Sequence, residues 1–233
     1  VKNSQVHLGV FMDGKCGGAM QFGPSLDKRK IQGLVAGTLW NEFIELNRMA
    51  FADWLPRNGE SRCIAFAMRW LKKTYPWIKW VVSFADGTQC GDGTIYRASG
   101  FVLTGIKENT DMHRLPDGSV LSQMSLSAHY KTKQGGATSA GTSRGASGGR
   151  KIMKNIGGQK LPGFQLRYIY FIDPTAGERL TVPIIPFSEI ERRGACMYKG
   201  QKRVVSDTSD TPDDQSGEGG ATPTTTLQYP KTS

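Results

Sequence analysis

Apolar residues in the first fifty positions fall into short runs that turn residues separate. Val6–Met12 and Cys16–Phe22 are two such runs, and the segment 13–15 that joins them reads Asp-Gly-Lys. Asp-Gly between apolar runs is a strong signal for a β-hairpin. Phe43–Phe51 interleaves apolar and polar residues and predicts a third strand. Leu26–Gly37 has no clear period and predicts a loop with some helix.

The clearest helix pattern follows a break at Asp53–Gly59, where Pro and Gly interrupt any regular element. Asn58 is the candidate N-cap, and Glu60 places a negative charge in the first turn. Pro76 ends the helix because proline cannot continue it. Apolar residues recur at spacings of three and four and form one stripe, which consists of Ile64, Ala67, Met68, Leu71 and Tyr75.

A continuous apolar run, Trp77–Ala85, follows the helix and predicts a buried central strand. The chain then has a Gly-rich loop at Gly87–Gly93, a short helix at Thr94–Ser99 and a strand at Phe101–Ile106. Further predicted elements are a hairpin at Asp117-Gly118 with Leu121–Tyr130 as its return, strands at Phe164–Ile172 and Leu180–Ile185, and a short helix at Ser188–Met197.

This order of elements predicts an α+β fold with a mixed, mostly antiparallel sheet flanked by helices. We expect one domain over residues 1–204. Residues 131–160 contain no acidic residue and are rich in Gly, Ser, Thr and Ala, so they predict a flexible basic insert. Residues 205–233 predict a disordered, acidic, Thr- and Pro-rich tail. No run of eighteen apolar residues and no signal peptide is visible, so we expect no association with a membrane.

Charge is unevenly distributed along the chain. The formal net charge is +10, but residues 205–233 carry −4, so the remainder carries +14. A basic body of this kind favours a polyanionic partner, and nucleic acid is the commonest one. The alternative is a basic surface that is merely solvated. The candidate DNA-contacting residues are Lys28, Arg29, Lys30, Arg144, Arg150, Lys151 and Lys154.

The four cysteines are far apart and form no C-x-x-C pair, which predicts reduced thiols rather than disulfides or a zinc site. Cys90 lies in the Gly-rich loop near the predicted centre. A nucleophile or metal ligand is the alternative to a structural thiol there, but no neighbouring histidine would activate it.

The segment Gly93–Phe101, with Thr-Ile-Tyr-Arg-Ala-Ser-Gly between its ends, resembles a stretch of the GNAT acyltransferases. In that family a short helix bearing Ile/Leu-Tyr leads into Gly-Phe and the next strand, and the tyrosine often acts as a general acid. A phenol can do this because it stays neutral at working pH and donates over a short reach. The alternative for Tyr96 is a packed aromatic residue with a satisfied hydroxyl.

The start of the main helix departs from the GNAT pattern. Its segment 56–62 reads Pro-Arg-Asn-Gly-Glu-Ser-Arg, where GNAT enzymes carry Arg/Gln-x-x-Gly-x-Gly/Ala to hold the pyrophosphate of coenzyme A. Glu60 and Ser61 stand where small residues are expected, and the Glu60 carboxylate would repel a pyrophosphate. The fold is retained on this reading, while the usual cofactor site is altered.

A wider set of motifs resembles the Mom family of phage and prophage DNA modification proteins. In chain order, these are Gln-Phe-Gly-Pro at 21–24, Glu-Leu-Asn-Arg-Met at 45–49, the segment 57–62, Ser-Phe-Ala-Asp at 83–86, the segment 93–101 and Leu-Pro-Gly-Phe-Gln-Leu-Arg-Tyr at 161–168. The resemblance covers about Val6 to Gly200 without the insert. It implies conversion of adenine in DNA to the N6-carbamoylmethyl form, which blocks many restriction enzymes.

On that resemblance, Arg48, Ser61, Asp86 and Tyr96 match positions implicated in activity. Arg48 can orient a phosphate or carboxylate bidentately, or it forms an ion pair with Glu45 or Glu60. Ser61 can hydrogen-bond the donor or the amine, or it caps the helix. Asp86 can act as a general base or hold a metal, or it caps the following turn. The candidates for binding substrate or donor are Asn47, Asn58, Glu60 and Glu45.

The resemblance also implies partners and a location. The substrate would be double-stranded DNA in the cytoplasm of a bacterial host, and the paired adenine would have to be flipped out. The donor would be acetyl-CoA or a glycine-derived molecule such as glycyl-tRNA. Iron is implied by a family His-Tyr motif upstream of the first hairpin, which would join Asp86; this chain begins after that motif. Two other hypotheses are an N-acyltransferase that uses acetyl-CoA on a protein or small-molecule amine, and a non-catalytic nucleic-acid-binding protein.

Overall fold

A computed structural model describes residues 4–87, 91–109, 111–122 and 155–195, and the backbone of 197–198 and 201–202. The chain divides into a compact unit, Val1–Arg203, and a second unit, Val204–Ser233. The second unit and most of the predicted basic insert lie outside the described residues. In the described part, none of the helices combines the length and the apolar character needed to cross a membrane.

The first half of the chain folds largely as its pattern predicts. The strands are β1 (Val6–Met12), β2 (Lys15–Gly23) and β3 (Phe43–Phe51), and the helices are α1 (Lys28–Gln32) and α2 (Gly59–Thr74). The β1–β2 turn holds Asp13 and Gly14 at positive φ, which matches the twist of a two-residue hairpin. Asn58 occupies the N-cap position of α2, as predicted.

The second half contains more elements than the pattern predicts. Its helices are short: α3 (Thr94–Ala98), α4 (Pro174–Glu178) and α5 (Ser188–Arg192). Its strands are β4 (Trp80–Asp86), β5 (Val102–Glu108), β6 (Met112–Arg114), β7 (Val120–Ser122), β8 (Gln159–Lys160), β9 (Phe164–Phe171), β10 (Met197–Tyr198) and β11 (Gln201–Lys202). The predicted return strand Leu121–Tyr130 is described only as far as Ser122.

Three predicted boundaries are wrong for local reasons. Trp77 is 53% exposed and precedes β4, because a turn follows α2 and the chain first bonds to its neighbour at Lys79, whose N–H donates to the Glu42 carbonyl. Leu180–Ile185 is not a strand: Leu180 makes an isolated bridge to Val35, and Pro183 has no N–H to donate. The last helix ends at Arg192, ahead of a glycine at positive φ.

The main sheet has six strands in the order β1-β2-β3-β4-β9-β5. Its neighbouring strands are antiparallel except for β3 and β4, which are parallel. The predicted α+β fold with a mixed, mostly antiparallel sheet is therefore confirmed. A small sheet, β7-β6-β8, brings residues 159–160 of the predicted insert against β6, and β10 pairs with β11. These strands have only two or three residues each, too few to show a period in the sequence.

Each face of the main sheet has its own core cluster. On what we call the α2 face, Ile64, Ala67 and Leu71 of α2 pack against β2, β3 and β4. On the opposite side, the α1 face, Ile31 and Val35 pack against residues that include Phe43, Trp80 and Val82. The fully buried Trp80 stacks on Phe43 at a centroid distance of 4.7 Å, and its indole N–H donates to Thr38 Oγ1. Burial of such side chains contributes about 1.5–3 kcal/mol each.

Candidate active site

The two parallel strands at the centre of the sheet separate along their length. β3 and β4 are paired from Phe43↔Trp80 to Leu46↔Ser83, and no pair follows. Beyond that point β3 continues against β2 as far as Phe51, and β4 continues against β9 as far as Asp86. The carboxyl-terminal halves of the two strands therefore border an opening whose apex lies at Leu46 and Ser83.

A hydrogen-bonded serine and tyrosine mark this apex on the α2 face. Ser83 is fully buried, and its Oγ lies 3.1 Å from the Leu46 carbonyl oxygen and 2.9 Å from Tyr96 Oη. A carbonyl only accepts, and each hydroxyl has one proton. Two arrangements are therefore possible. In the first, Ser83 donates to the Leu46 carbonyl and Tyr96 donates to Ser83. In the second, Ser83 donates to Tyr96, and the Tyr96 hydroxyl donates to an acceptor other than Ser83.

Aromatic packing holds Tyr96 in place. Tyr96 is 5% exposed, stacks on Tyr168 at 5.1 Å and meets Phe101 edge to face. The Tyr168 hydroxyl donates to the Asp92 carbonyl. Burial raises the pKa of Tyr168 well above its usual range, and the charge of Asp92 adds to that rise, so Tyr168 stays neutral. Tyr168 thus acts on the site as a rigid wall.

A β-bulge decides which way Arg48 faces. The β2–β3 register shifts between Gln21↔Arg48 and Phe22↔Leu46, which leaves Asn47 without an opposite residue. One extra residue reverses the alternation of side chains. Leu46 and Met49 both pack on the α2 face as a result, and Arg48 lies on the α1 face, exposed to solvent. Neither Glu45 nor Glu60 is within ion-pair distance of Arg48, so the predicted alternative of an ion pair is wrong.

Asp86 lies at the end of β4 on the α1 face, the same face as Trp80 and Val82, which lie six and four residues earlier in the strand. Its Oδ1 accepts a hydrogen bond of 3.3 Å from Asn109 Nδ2, and Gln165 of β9 is opposite it. The structure thus places Arg48 and Asp86 on one face of the opening and Tyr96 on the other.

The start of α2 supplies Ser61, Asn58 and Glu60. The backbone of Asn58 is left-handed, with φ of 63°, and its side chain makes no capping hydrogen bond. Ser61 Oγ donates to the Asn58 carbonyl at 3.0 Å, which fixes the entry into the helix. Glu60 is exposed in the first turn. α2 begins eight residues after the end of β3.

Glu45 is a half-buried carboxylate beside the bulge. Burial raises its pKa, and the side chains of Ser25 and Asn47 partly oppose that rise. Asn47 Nδ2 donates to the Pro24 carbonyl, whereas Asn47 Oδ1 and Ser25 Oγ are buried without a hydrogen bond of good geometry. Glu45, Asn47 and Ser25 thus form one polar cluster. It gives the α1 face a polar spot close to the apex.

Sequence reasoning missed two residues that the structure brings to this region. Ser83 is the one hydroxyl in an otherwise apolar run, and that contrast was the available signal. Arg167 is the one charged residue of β9; it is half-buried and lies opposite Phe84. Its guanidinium donates to Thr104 Oγ1 and to the Thr104 carbonyl, and burial lowers its pKa. None of the described carboxylates forms an ion pair with it.

Three of the seven predicted DNA-contacting residues are described. Lys28, Arg29 and Lys30 form the start of α1, and Lys28 Nζ lies 4.4 Å from the centroid of the Trp40 ring. Partial burial lowers the pKa of Lys28. Arg144, Arg150, Lys151 and Lys154 lie outside the described residues, as does Cys90. Cys16 and Cys63 are free thiols.

The described residues do not form a metal site at Asp86. No group of three His, Cys, Asp or Glu side chains is arranged to hold an ion in residues 4–87, 91–109, 111–122 and 155–195. Asp86 instead has an amide donor, Asn109, beside its carboxylate. An iron site that includes Asp86 stays a prediction.

A cleft of about 250 Å³ opens next to the aromatic wall of the α2 face. Tyr168, Arg97 and Phe187 contribute to its lining, and the Arg97 guanidinium lies over the Phe187 ring at 5.1 Å. Asp92 and Glu191 add carboxylates to the same cleft. Tyr168 lines this cleft and also stacks on Tyr96, so the same ring borders both the cleft and the apex.

Comparisons with known proteins identify the family. Residues 1–189 match the Mom protein family. The methylcarbamoylase Mom of Escherichia phage Mu is 35% identical over 185 residues, which cover 79% of this chain and 70% of the relative. Solved structures with a partly similar fold include a Bacillus subtilis acetyltransferase in complex with CoA, at 10% identity, TM-score 0.35 and coverage of 69% of this chain and 72% of that one. An aminoglycoside acetyltransferase in complex with coenzyme A has 13% identity, TM-score 0.31 and coverage of 52% and 67%. The match to the family over residues 1–189 and the identity to the phage Mu protein show that the chain belongs to the Mom protein family.

Proposed function

We propose that this protein is a phage DNA modification enzyme that converts adenine in DNA to its N6-carbamoylmethyl form and so protects the DNA from host restriction. The observation that carries the proposal is the Ser83–Tyr96 pair at the apex of the opening between β3 and β4. Membership of the family and the name of the phage Mu relative support the same transferase activity.

The geometry supports a division of roles between the two faces. On the α2 face, Tyr96 is the general acid, and Ser83 can donate to its oxygen once the tyrosine proton has left. On the α1 face, Asp86 is the general base for the adenine amine, and Arg48 binds a DNA phosphate or a carboxyl group of the donor. Ser61, at the first turn of α2, orients the donor.

The site has features that bear on the donor. Exposed Glu60 stands at the start of α2, where a pyrophosphate would need free amide groups and no negative charge. This disfavours coenzyme A bound in the usual acetyltransferase manner and favours a glycine-derived donor such as glycyl-tRNA. The second candidate function, acylation of another amine with acetyl-CoA, would be supported by tight binding of coenzyme A to the purified protein.

The decisive experiment is analysis of DNA from bacteria that express the full gene product. Plasmid nucleosides would be separated and examined by mass spectrometry. We expect a deoxyadenosine heavier by one carbamoylmethyl group, with loss of that species in Tyr96→Phe and Asp86→Ala at equal protein levels. Unmodified DNA from soluble wild-type protein would contradict the proposal, and acetylated protein or metabolite amines would favour the second candidate.

A further inference from the structure

Apolar and basic side chains project together at the start of α1. Leu26 is 92% exposed in the turn before the helix, and Trp40 is 49% exposed. Lys28 lies over the Trp40 ring, and Arg29 and Lys30 are exposed beside it. We call this group, Leu26, Lys28, Arg29, Lys30 and Trp40, the α1 edge.

The turn that carries Leu26 is anchored on both sides. Before it, the Pro24 carbonyl accepts from Asn47 Nδ2, and Ser25 is 6% exposed. After it, the Asp27 carbonyl accepts from the Ile31 N–H at 3.0 Å. Hydrogen bonds on both sides therefore fix the backbone that carries the exposed Leu26 side chain.

The α1 edge borders the polar half of the α1 face. Gly23, next to the turn, pairs with Glu45, and Ser25 lies close to the Glu45 carboxylate. Arg48 follows on the same face of β3, and Asp86 ends the neighbouring strand on that face. A macromolecule that contacts Lys28–Lys30 would thus extend towards the residues that we assign to the adenine amine.

The chemistry of the α1 edge fits duplex DNA. Proteins that unstack base steps combine basic residues on the phosphates with an apolar side chain inserted between bases. The adenine amine is paired in a duplex, so an enzyme that acts on it must extrude the base. We propose that Leu26 is the wedge that enters the base stack while the adenine leaves towards the α1 face, and that Lys28, Arg29 and Lys30 hold the adjacent phosphates. The inference rests on the proposed function.

The test uses full-length protein and a duplex with 2-aminopurine at an adenine position that the wild-type protein modifies. Fluorescence of 2-aminopurine rises when the base leaves the stack. We expect Leu26→Ala to lower that rise by about tenfold, because the wedge offsets part of the cost of unstacking, and to lower DNA affinity by less than about threefold, because phosphate contacts dominate it. Ile184→Ala, which truncates a side chain 57% exposed elsewhere, is the matched control and should change neither quantity.

A second substrate separates a wedge from a general defect. An adenine that is mispaired or single-stranded leaves the stack at little cost. Leu26→Ala should therefore modify such an adenine at the wild-type rate while it modifies a paired adenine about tenfold more slowly. Equal defects on paired and unpaired adenine, or no defect on either, would overturn the wedge.

The outcomes also separate this inference from the proposed function. Wild-type protein that modifies paired adenine, together with an unaffected Leu26→Ala, would overturn the wedge and leave the enzyme assignment intact. Wild-type protein that modifies no adenine in any DNA would overturn both. Loss of binding, rather than loss of fluorescence, in Leu26→Ala would show an ordinary contact residue and would also overturn the wedge.

Discussion

Partial burial of Glu45 makes the stability of the protein depend on the ionisation of this carboxylate. Its pKa is raised in the folded state by burial, so folding favours the protonated form. That contribution is fully present below the usual glutamate pKa of about 4.3 and is lost as pH rises through the raised folded value. Glu45→Gln removes the carboxylate and keeps its shape.

We therefore expect the free energy of unfolding of Glu45→Gln to increase relative to wild type as pH rises from 4 towards 8, as measured in urea at several pH values. The control is Glu178→Gln, because Glu178 is exposed at the end of α4. A constant difference between Glu45→Gln and wild type across this range would show that Glu45 is not desolvated in solution.

The Ser83–Tyr96 hydrogen bond gives a second prediction at the scale of single residues. Ser83→Ala and Tyr96→Phe each delete one partner of a buried bond of 2.9 Å, and each should lower stability by about 1 kcal/mol. Their effects should not add, because both remove the same interaction, and the coupling should be on the order of 1 kcal/mol. Denaturant unfolding of the two single variants and the double variant measures it. Additive losses would mean that the bond does not form.

The loop before α3 packs closely against the Tyr168 ring. Gly93 has φ of +73°, and a Cβ there would lie 2.7 Å from Tyr168 Cε2; Gly91 has φ of +81° and open space around it. Gly91→Ala should lower the free energy of unfolding by only about 1–2 kcal/mol, which is the cost of a left-handed backbone for a residue with a Cβ. Gly93→Ala should lower the free energy of unfolding by about 1–3 kcal/mol more, because the added Cβ overpacks against Tyr168. Activity should also fall, because a displaced Tyr168 would move Tyr96. Thermal unfolding of the pair checks this; equal losses would show that Tyr168 can yield.

The same elements show what the sequence can predict. The Asp-Gly hairpin, α2 and α3 follow from turn chemistry and periodicity within one segment, so their prediction needed no partner. The bulge at Asn47 arises from the register between β2 and β3, which no single strand reveals. As a result, Tyr96 could be proposed as a site residue from its motif, whereas the face on which Arg48 lies could not be predicted.

Burial caused the other differences between prediction and structure. Ser83 and Arg167 occur in apolar runs. Only the packing of β4 against β3 and α3 shows the polar partners of Ser83, and only the packing of β9 against β5 shows those of Arg167. Trp77 has the residue type of a buried strand but lies in the turn after α2. An aromatic run predicts burial in general, yet the connection between a helix and a strand decides where pairing begins.

For the whole molecule, a charge of +14 on residues 1–204 predicts that DNA affinity falls steeply with salt. Each phosphate that the protein neutralises contributes about −0.9 to the slope of log K against log salt concentration. Replacing Lys28, Arg29 and Lys30 with alanine should therefore reduce the slope by up to about 3 if all three contact phosphates. The contact of Lys28 with the Trp40 ring makes the contribution of Lys28 the smallest of the three.

The matched control lies on the opposite side of the sheet, at the far end of α2. Lys72 and Lys73 are exposed in the last turn of that helix, away from the opening between β3 and β4. Their replacement removes two positive charges without touching the α1 face, so the affinity should fall slightly and the slope should keep its wild-type value. Fluorescence anisotropy on a mixed-sequence duplex from low to physiological salt measures both. If the two variants lowered the slope equally per charge removed, net charge rather than a defined surface would govern binding. That result would contradict the proposal that DNA binds at the α1 face.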